Sequence, residues 1–142
     1  MLFRSTEREK KTRTVQTNSS GEDAAFIVKN TADANDTVRF CDMGKELIYR
    51  FDLSGMNDPT FSFTVCQNYV CEISKDGTNW ILLEDWSKVG SYIENASNAT
   101  ALTVSPWNRD WKDVFYFRLR NAYPDKGWGG AISSLSWTWY ED

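Results

Sequence analysis

Hydrophobic and polar residues alternate with a period of two along most of the chain, the mark of strands with two unlike faces. Leu47, Tyr49, Phe51 and Leu53 share one phase, and Ile48, Arg50 and Asp52 the other. Phe61, Phe63 and Val65 mark the next inward face. Tyr69, Cys71 and Ile73 then alternate with Val70, Glu72 and Ser74, and Asp76-Gly77 supplies a turn that tolerates positive φ. Trp80 opens the return strand through residues 81–83. Residues 101–104 form a short strand and residues 105–111 a loop. Phe115, Phe117 and Leu119 oppose Tyr116, Arg118 and Arg120, and Leu135, Trp137 and Trp139 oppose Ser134, Ser136 and Thr138. Trp80, Trp137 and Trp139 therefore fall at core phase. Residues 38–40 add a short strand, and residues 24–28 open the folded part. The pattern predicts an all-β, jelly-roll β-sandwich of about eight mainly antiparallel strands, with no helix and Greek-key crossings at the long connections.

Residues 1–23 lack any apolar period and are rich in Lys, Arg, Glu, Thr and Ser, so they read as a flexible or added leader. Residues 24–142 make a single module. Aromatic residues reach 15% with seven Trp, which strengthens the β reading and raises the prospect of stacking surfaces. Net charge is −4, with no basic stripe, which argues against nucleic acid as a partner. No apolar run approaches the roughly 20 residues that span a bilayer. The first residues show no signal peptide, which fits an intracellular protein or a module cut from a larger secreted chain; the second is the expectation, because isolated modules usually act as appendages.

The chain contains no His, which removes Ser-His-Asp and Cys-His triads, His-ligated metals and imidazole acid–base chemistry. Its three Cys do not make a four-thiolate site. Cys66 and Cys71 stand on adjoining strands, where a bridge depends on geometry; buried thiols are the simpler reading, and Cys41 is read the same way.

Three segments resemble one family. The hairpin at residues 69–80 carries Ser74-x-Asp76-Gly77-x-x-Trp80. The strand at residues 115–121 leads into Asp125-Lys126-Gly127-Trp128-Gly129, with Asn121 where an acidic residue is more usual. Arg39-Phe40-Cys41-Asp42 runs into Tyr49-Arg50-Phe51-Asp52-Leu53. Together they are similar to galactose-binding-like β-sandwiches, the group of discoidin-type domains and many carbohydrate-binding modules. The likeness covers residues 26–140. It implies non-catalytic carbohydrate binding by an accessory module of a larger glycan-degrading or cell-surface protein. The partners would be an oligo- or polysaccharide and neighbouring modules, and the setting extracellular. The alternative is a protein-interaction or spacer module without a glycan ligand.

The loop at residues 105–111 gathers what sugar recognition needs. Trp107 and Trp111 offer faces for pyranose C–H groups, and Asn108, Arg109 and Asp110 offer hydroxyl partners. A binding module is expected to leave Trp107 or Trp111 exposed, and a spacer to bury both. Trp86 and Tyr92 are secondary ligand candidates. Trp128, between two glycines, is expected to pack beneath its turn as architecture. A structural Ca²⁺, implied by the resemblance, would draw on Asp33, Asn35, Asp36, Asp42 and Asp142. Glu84 and Asp85, beside Trp86, are the nearest approach to a catalytic carboxylate pair. Arg118 and Arg120 are expected to pair with Asp52 or Glu72, or else to engage an anionic sugar.

Overall fold

Residues 8–141 are described in a computed structural model. Eleven strands form: β1 (Glu9–Val15), β2 (Ile27–Asn30), β3 (Asp33–Ala34), β4 (Arg39–Cys41), β5 (Glu46–Asp52), β6 (Asn57–Gln67), β7 (Tyr69–Ser74), β8 (Ile81–Asp85), β9 (Thr100–Val104), β10 (Val114–Asn121) and β11 (Gly130–Glu141). One sheet runs β3-β4-β11-β6-β9, with β1 also paired to β11; the other runs β2-β5-β10-β7-β8. Every pairing is antiparallel. From β4 onward the strands lie in the order 4-11-6-9 over 5-10-7-8. That is a jelly roll, in which successive strands cross from sheet to sheet except at the β7–β8 hairpin. The expected eight strands are therefore present, and β1, β2 and β3 are additions at the N-terminal side.

The alternation explains the core. Leu47, Tyr49, Phe51, Phe61, Phe63, Val65, Phe115, Phe117 and Leu119 are buried between the sheets. Phe63 of one sheet lies flat on Phe117 of the other, with ring centroids 3.8 Å apart and planes within 2°. Phe51 meets Phe61 at 4.8 Å and Phe115 at 5.2 Å, while Trp137 closes the cluster against Phe61 at 5.4 Å. Such contacts add to area burial, which is the main stabilising term.

Four expectations need correction. The leader is, from Glu9 on, part of the sandwich: β1 pairs with β11 from Glu9↔Glu141 to Val15↔Leu135, and Val15 is buried. Residues 1–7 lie outside the described residues. Three short helical turns occur, at Glu22–Phe26, Trp86–Val89 and Pro106–Arg109, where none was expected. Trp80 precedes β8 rather than opening it and is only half-buried, whereas Trp139, also half-buried, packs against the core as expected. The fourth, Trp128, belongs to the site below.

Asp23 shows why the N-terminal segment docks. Its fully buried carboxylate accepts from Arg39 Nε at 2.8 Å and Nη2 at 2.5 Å, and from the Tyr49 hydroxyl at 2.6 Å. Burial, then the neighbouring Asp23 charge, raises the Tyr49 hydroxyl well above its ordinary pKa, so it remains a donor. Cys41, Cys66 and Cys71 are all free and buried. Cys66 sits in β6 and Cys71 in β7, on opposite sheets, and burial pushes the Cys41 thiol up to about 12.

Candidate functional site

The connections β4–β5, β6–β7, β8–β9 and β10–β11 converge on one end of the sandwich, hereafter the apex. The connections β5–β6, β7–β8 and β9–β10 lie at the other end, with Glu9 and Glu141.

The apex is organised by Asn68, the single residue between β6 and β7, which is fully buried. Its Nδ2 donates to the carbonyls of Ile93 at 2.7 Å and Trp128 at 2.6 Å, and its Oδ1 accepts from Ile93 N at 3.0 Å. One amide thus fastens the 86–99 loop to the 122–129 loop. Only an amide side chain offers two donors and an acceptor in this form. Asn98 does similar work beside it, exchanging both bonds with the Gln67 backbone at 2.7 Å, where Gln67 has φ of 62°.

Asn121, also buried, shapes the second loop: Nδ2 donates to the Lys126 carbonyl at 2.9 Å and Oδ1 accepts from Tyr123 N at 2.8 Å. An Asp there would lose the donor. Gly129 passes so close to the Cys41 carbonyl that a Cβ would stand 1.3 Å from its oxygen. With Gly129 pressed inward and the Trp128 carbonyl held by Asn68, the indole has only the outward direction.

Trp128 is accordingly 48% exposed and is the only exposed aromatic side chain among the described residues. The expectation that it packs beneath its turn is overturned. On the loop that Asn68 ties to the Trp128 carbonyl, half-buried Tyr92 meets Tyr123 edge to face at 5.4 Å, and Lys126 Nζ lies 5.1 Å from the Tyr92 ring centre. Trp86, by contrast, is architectural. Its Nε1 donates to the Ser91 carbonyl at 2.6 Å, it packs against Tyr69, and Gly90 lies directly on its ring.

At the opposite end, Trp107 lines an open cleft of about 520 Å³ with Leu53, Ser54, Gly55, Met56, Asn57, Lys112 and Glu141. Asn108, Arg109 and Asp110 are exposed but do not line that cleft. Trp107 and Trp111 are both half-buried, and a cation lies over each ring: Lys112 Nζ at 4.5 Å and Arg109 Cζ at 5.6 Å. Trp111 packs on the core. The exposure criterion therefore favours neither a binding module nor a spacer at this loop.

On the outer face of the β2-β5-β10-β7-β8 sheet, Glu72 accepts from Arg118 Nε at 2.9 Å and Nη2 at 3.1 Å, and from Arg120 Nε at 2.8 Å. The expected pairing of both arginines is thus with Glu72; Asp52 instead caps Ser54. Burial works to raise the Glu72 carboxyl, but the two guanidinium groups outweigh it and hold it below its ordinary value. Trp80 lies under Arg118 at 4.2 Å, so its ring serves this outer cluster and not the core.

Among the described residues no group of three acidic or Cys side chains is placed to hold a metal. Asp33 pairs with Lys45 at 2.7 Å, and Asn35 Oδ1 caps Thr37 and Val38. Asp42 is raised by burial and by Asp33, and Asp36 offers only its backbone carbonyl, to Asn18. Asp142 lies outside the described residues. Glu84 accepts from the Tyr69 hydroxyl, and Asp85 caps the Trp86 turn through Ser87 N at 2.9 Å, so both serve local structure.

No family model and no curated protein matches this chain. Solved structures with similar layout include the low-affinity xylan-binding module CBM86 of Roseburia intestinalis, at 16% identity and TM-score 0.43, covering 94% of this chain and 95% of that one. Xylanase 10C of Cellvibrio japonicus matches at 9% identity and TM-score 0.44, over 90% of this chain and 27% of that one. A GH115 4-O-methyl-α-glucuronidase matches at 11% identity and TM-score 0.48, over 89% of this chain and 17% of that one. The chain thus spans about a quarter or less of these two enzymes. Likenesses this remote assign neither ligand nor activity.

Proposed function

We propose that this β-sandwich is a non-catalytic glycan-binding module and that its contact surface is the apex. The observation that carries the reading is Trp128, an exposed indole on a loop whose backbone is fixed by the buried Asn68. Pyranose rings stack their C–H faces on such rings, and a fixed platform gives up little conformational entropy on binding. Tyr92, Tyr123 and Lys126 extend the platform with hydroxyl and ammonium groups for sugar hydroxyls. The proposal includes the accessory, extracellular role expected from the sequence. Trp107 and Trp111 rank second because both are half-buried whereas Trp128 is exposed.

A platform this open binds weakly, with Kd on the order of micromolar to millimolar. The test is a glycan array probed with the purified protein and with Trp128→Ala. Retention on at least one glycan class, lost in Trp128→Ala while Trp107→Ala keeps it, is the expected result. Equal retention by Trp128→Ala sinks the apex assignment. A blank array with the wild type leaves the protein-interaction reading, for which the same exposed indole would serve.

A further inference from the structure

The ridge formed by residues 121–126 separates two surfaces. On one side Tyr123 packs against Tyr92, on the loop that Asn68 ties to the Trp128 carbonyl. On the other, Pro124 and Asn121 line a cleft of about 220 Å³ whose remaining walls are Gly44, Lys45, Glu46 and Arg120. Asn121 belongs to both, because its side chain lies against Gly129, the residue after Trp128. Asn121 thus links the cleft wall to the backbone next to Trp128.

Charge in that cleft is unevenly satisfied. Glu46 is neutralised by Lys29 at 2.5 Å, and Lys45 pairs with Asp33 at 2.7 Å. Arg120 is different. It uses Nε on Glu72 at 2.8 Å, and neither terminal nitrogen has a hydrogen-bond partner among the described residues. Glu72 is shared with Arg118, and Glu46 and Asp85 act on the Arg120 charge only from a distance, without a hydrogen bond to it. The Arg120 side chain is 39% exposed, open to a ligand yet held in place by Glu72. Half of its planar fork is thus fixed, and the other half keeps unfilled donors on a side chain that lines the cleft.

We infer that the apex selects acidic glycans, seating a uronate carboxylate on the terminal nitrogens of Arg120 while neighbouring sugars stack on Trp128. The inference rests on the glycan-binding reading of the apex. A global attraction for polyanions is not the cause, because the chain carries a net charge of −4. The preference is local to Arg120.

The probes are polygalacturonate and glucuronoxylan, each run in affinity gels against its own carboxyl-reduced form, at about 0.15 M salt to screen long-range attraction. The acid form is expected to be retained about tenfold more tightly than the reduced form, the scale of one charge-assisted hydrogen bond. Arg120→Gln should bring the acid form down to the level of the reduced one, and Arg120→Lys should recover part of the difference. Continued retention of the reduced polymer by Arg120→Gln reports that its apex is folded. Equal retention of both forms by the wild type, abolished by Trp128→Ala, overturns acid selection and leaves the stacking platform standing. Acid preference that survives Arg120→Gln overturns the assignment to Arg120. Failure of the wild type to retain these or any arrayed glycan overturns the underlying reading.

Discussion

Asp23, Glu72 and Asn68 are buried polar side chains, and each is answered by partners of opposite sign or function. Removing one partner leaves the rest desolvated and unpaired, which is why such groups matter more by their loss than by their presence. Asp23→Ala should destabilise the fold by about 3–5 kcal/mol in chemical denaturation, because Arg39 would remain buried without its carboxylate. Glu72 and Asp76 define the acid limb. Backbone amides of Asn79 and Thr78, with the Asn79 and Ser74 side chains, hold the Asp76 carboxyl far below its usual value. Both groups have folded pKa values lower than unfolded ones, so their contribution is full above the ordinary carboxylate range, about pH 4, and is lost progressively as pH falls from there through the lower folded values. Denaturation midpoints of the wild type should fall between pH 6 and pH 3, and Glu72→Gln should lower stability at pH 6 while flattening that fall. At this scale the sequence was partly legible. The outward phase of Arg118 and Arg120 pointed to Asp52 or Glu72, and the structure selects Glu72. It did not reveal Trp128, because the side chain's direction is set by Asn68, sixty residues away in sequence, and by the squeeze on Gly129. The adjacent Gly129-Gly130 pair was the available signal: two glycines in a row mark a backbone pressed against its neighbours, and that turns the preceding side chain outward.

Strands with alternating residues were readable one by one, and their count and long connections pointed to a jelly roll. β1 was not. Its sequence, Glu-Lys-Lys-Thr-Arg-Thr-Val, resembles a disordered tail because it pairs with β11 along one side only and carries charge along the strand. Arg13 adds cover, its guanidinium standing 5.0 Å from the Phe26 ring and 5.6 Å from the Trp137 ring. The composition of an edge strand and that of a flexible leader overlap, and only the buried Val15 at its end distinguishes them here. Deleting residues 1–16 should therefore cost at least about 2 kcal/mol, the worth of one buried valine, and should uncover the β11 edge. Urea denaturation with a size measurement checks both: an unchanged midpoint would return β1 to the role of a tail.

The whole molecule is a stiff two-sheet frame with different furniture at its two ends. The end bearing Glu9 and Glu141 offers a cleft whose Trp107 is already covered by Lys112. The apex offers an indole in the open, and replacing an exposed side chain usually changes stability by less than about 0.5 kcal/mol. Trp128→Ala should thus melt like the wild type, so any lost binding is attributable to the lost platform. The most direct test is a ¹H–¹⁵N NMR titration with the best-retained oligosaccharide, following the indole N–H signals and backbone amides. The account predicts shifts at the Trp128 indole and at the amides of Tyr92, Asn121, Tyr123 and Lys126, with the Trp107 and Trp111 indoles unmoved. Shifts centred on Trp107 and Trp111, or on Trp80 and the outer sheet face, with Trp128 silent, would contradict it.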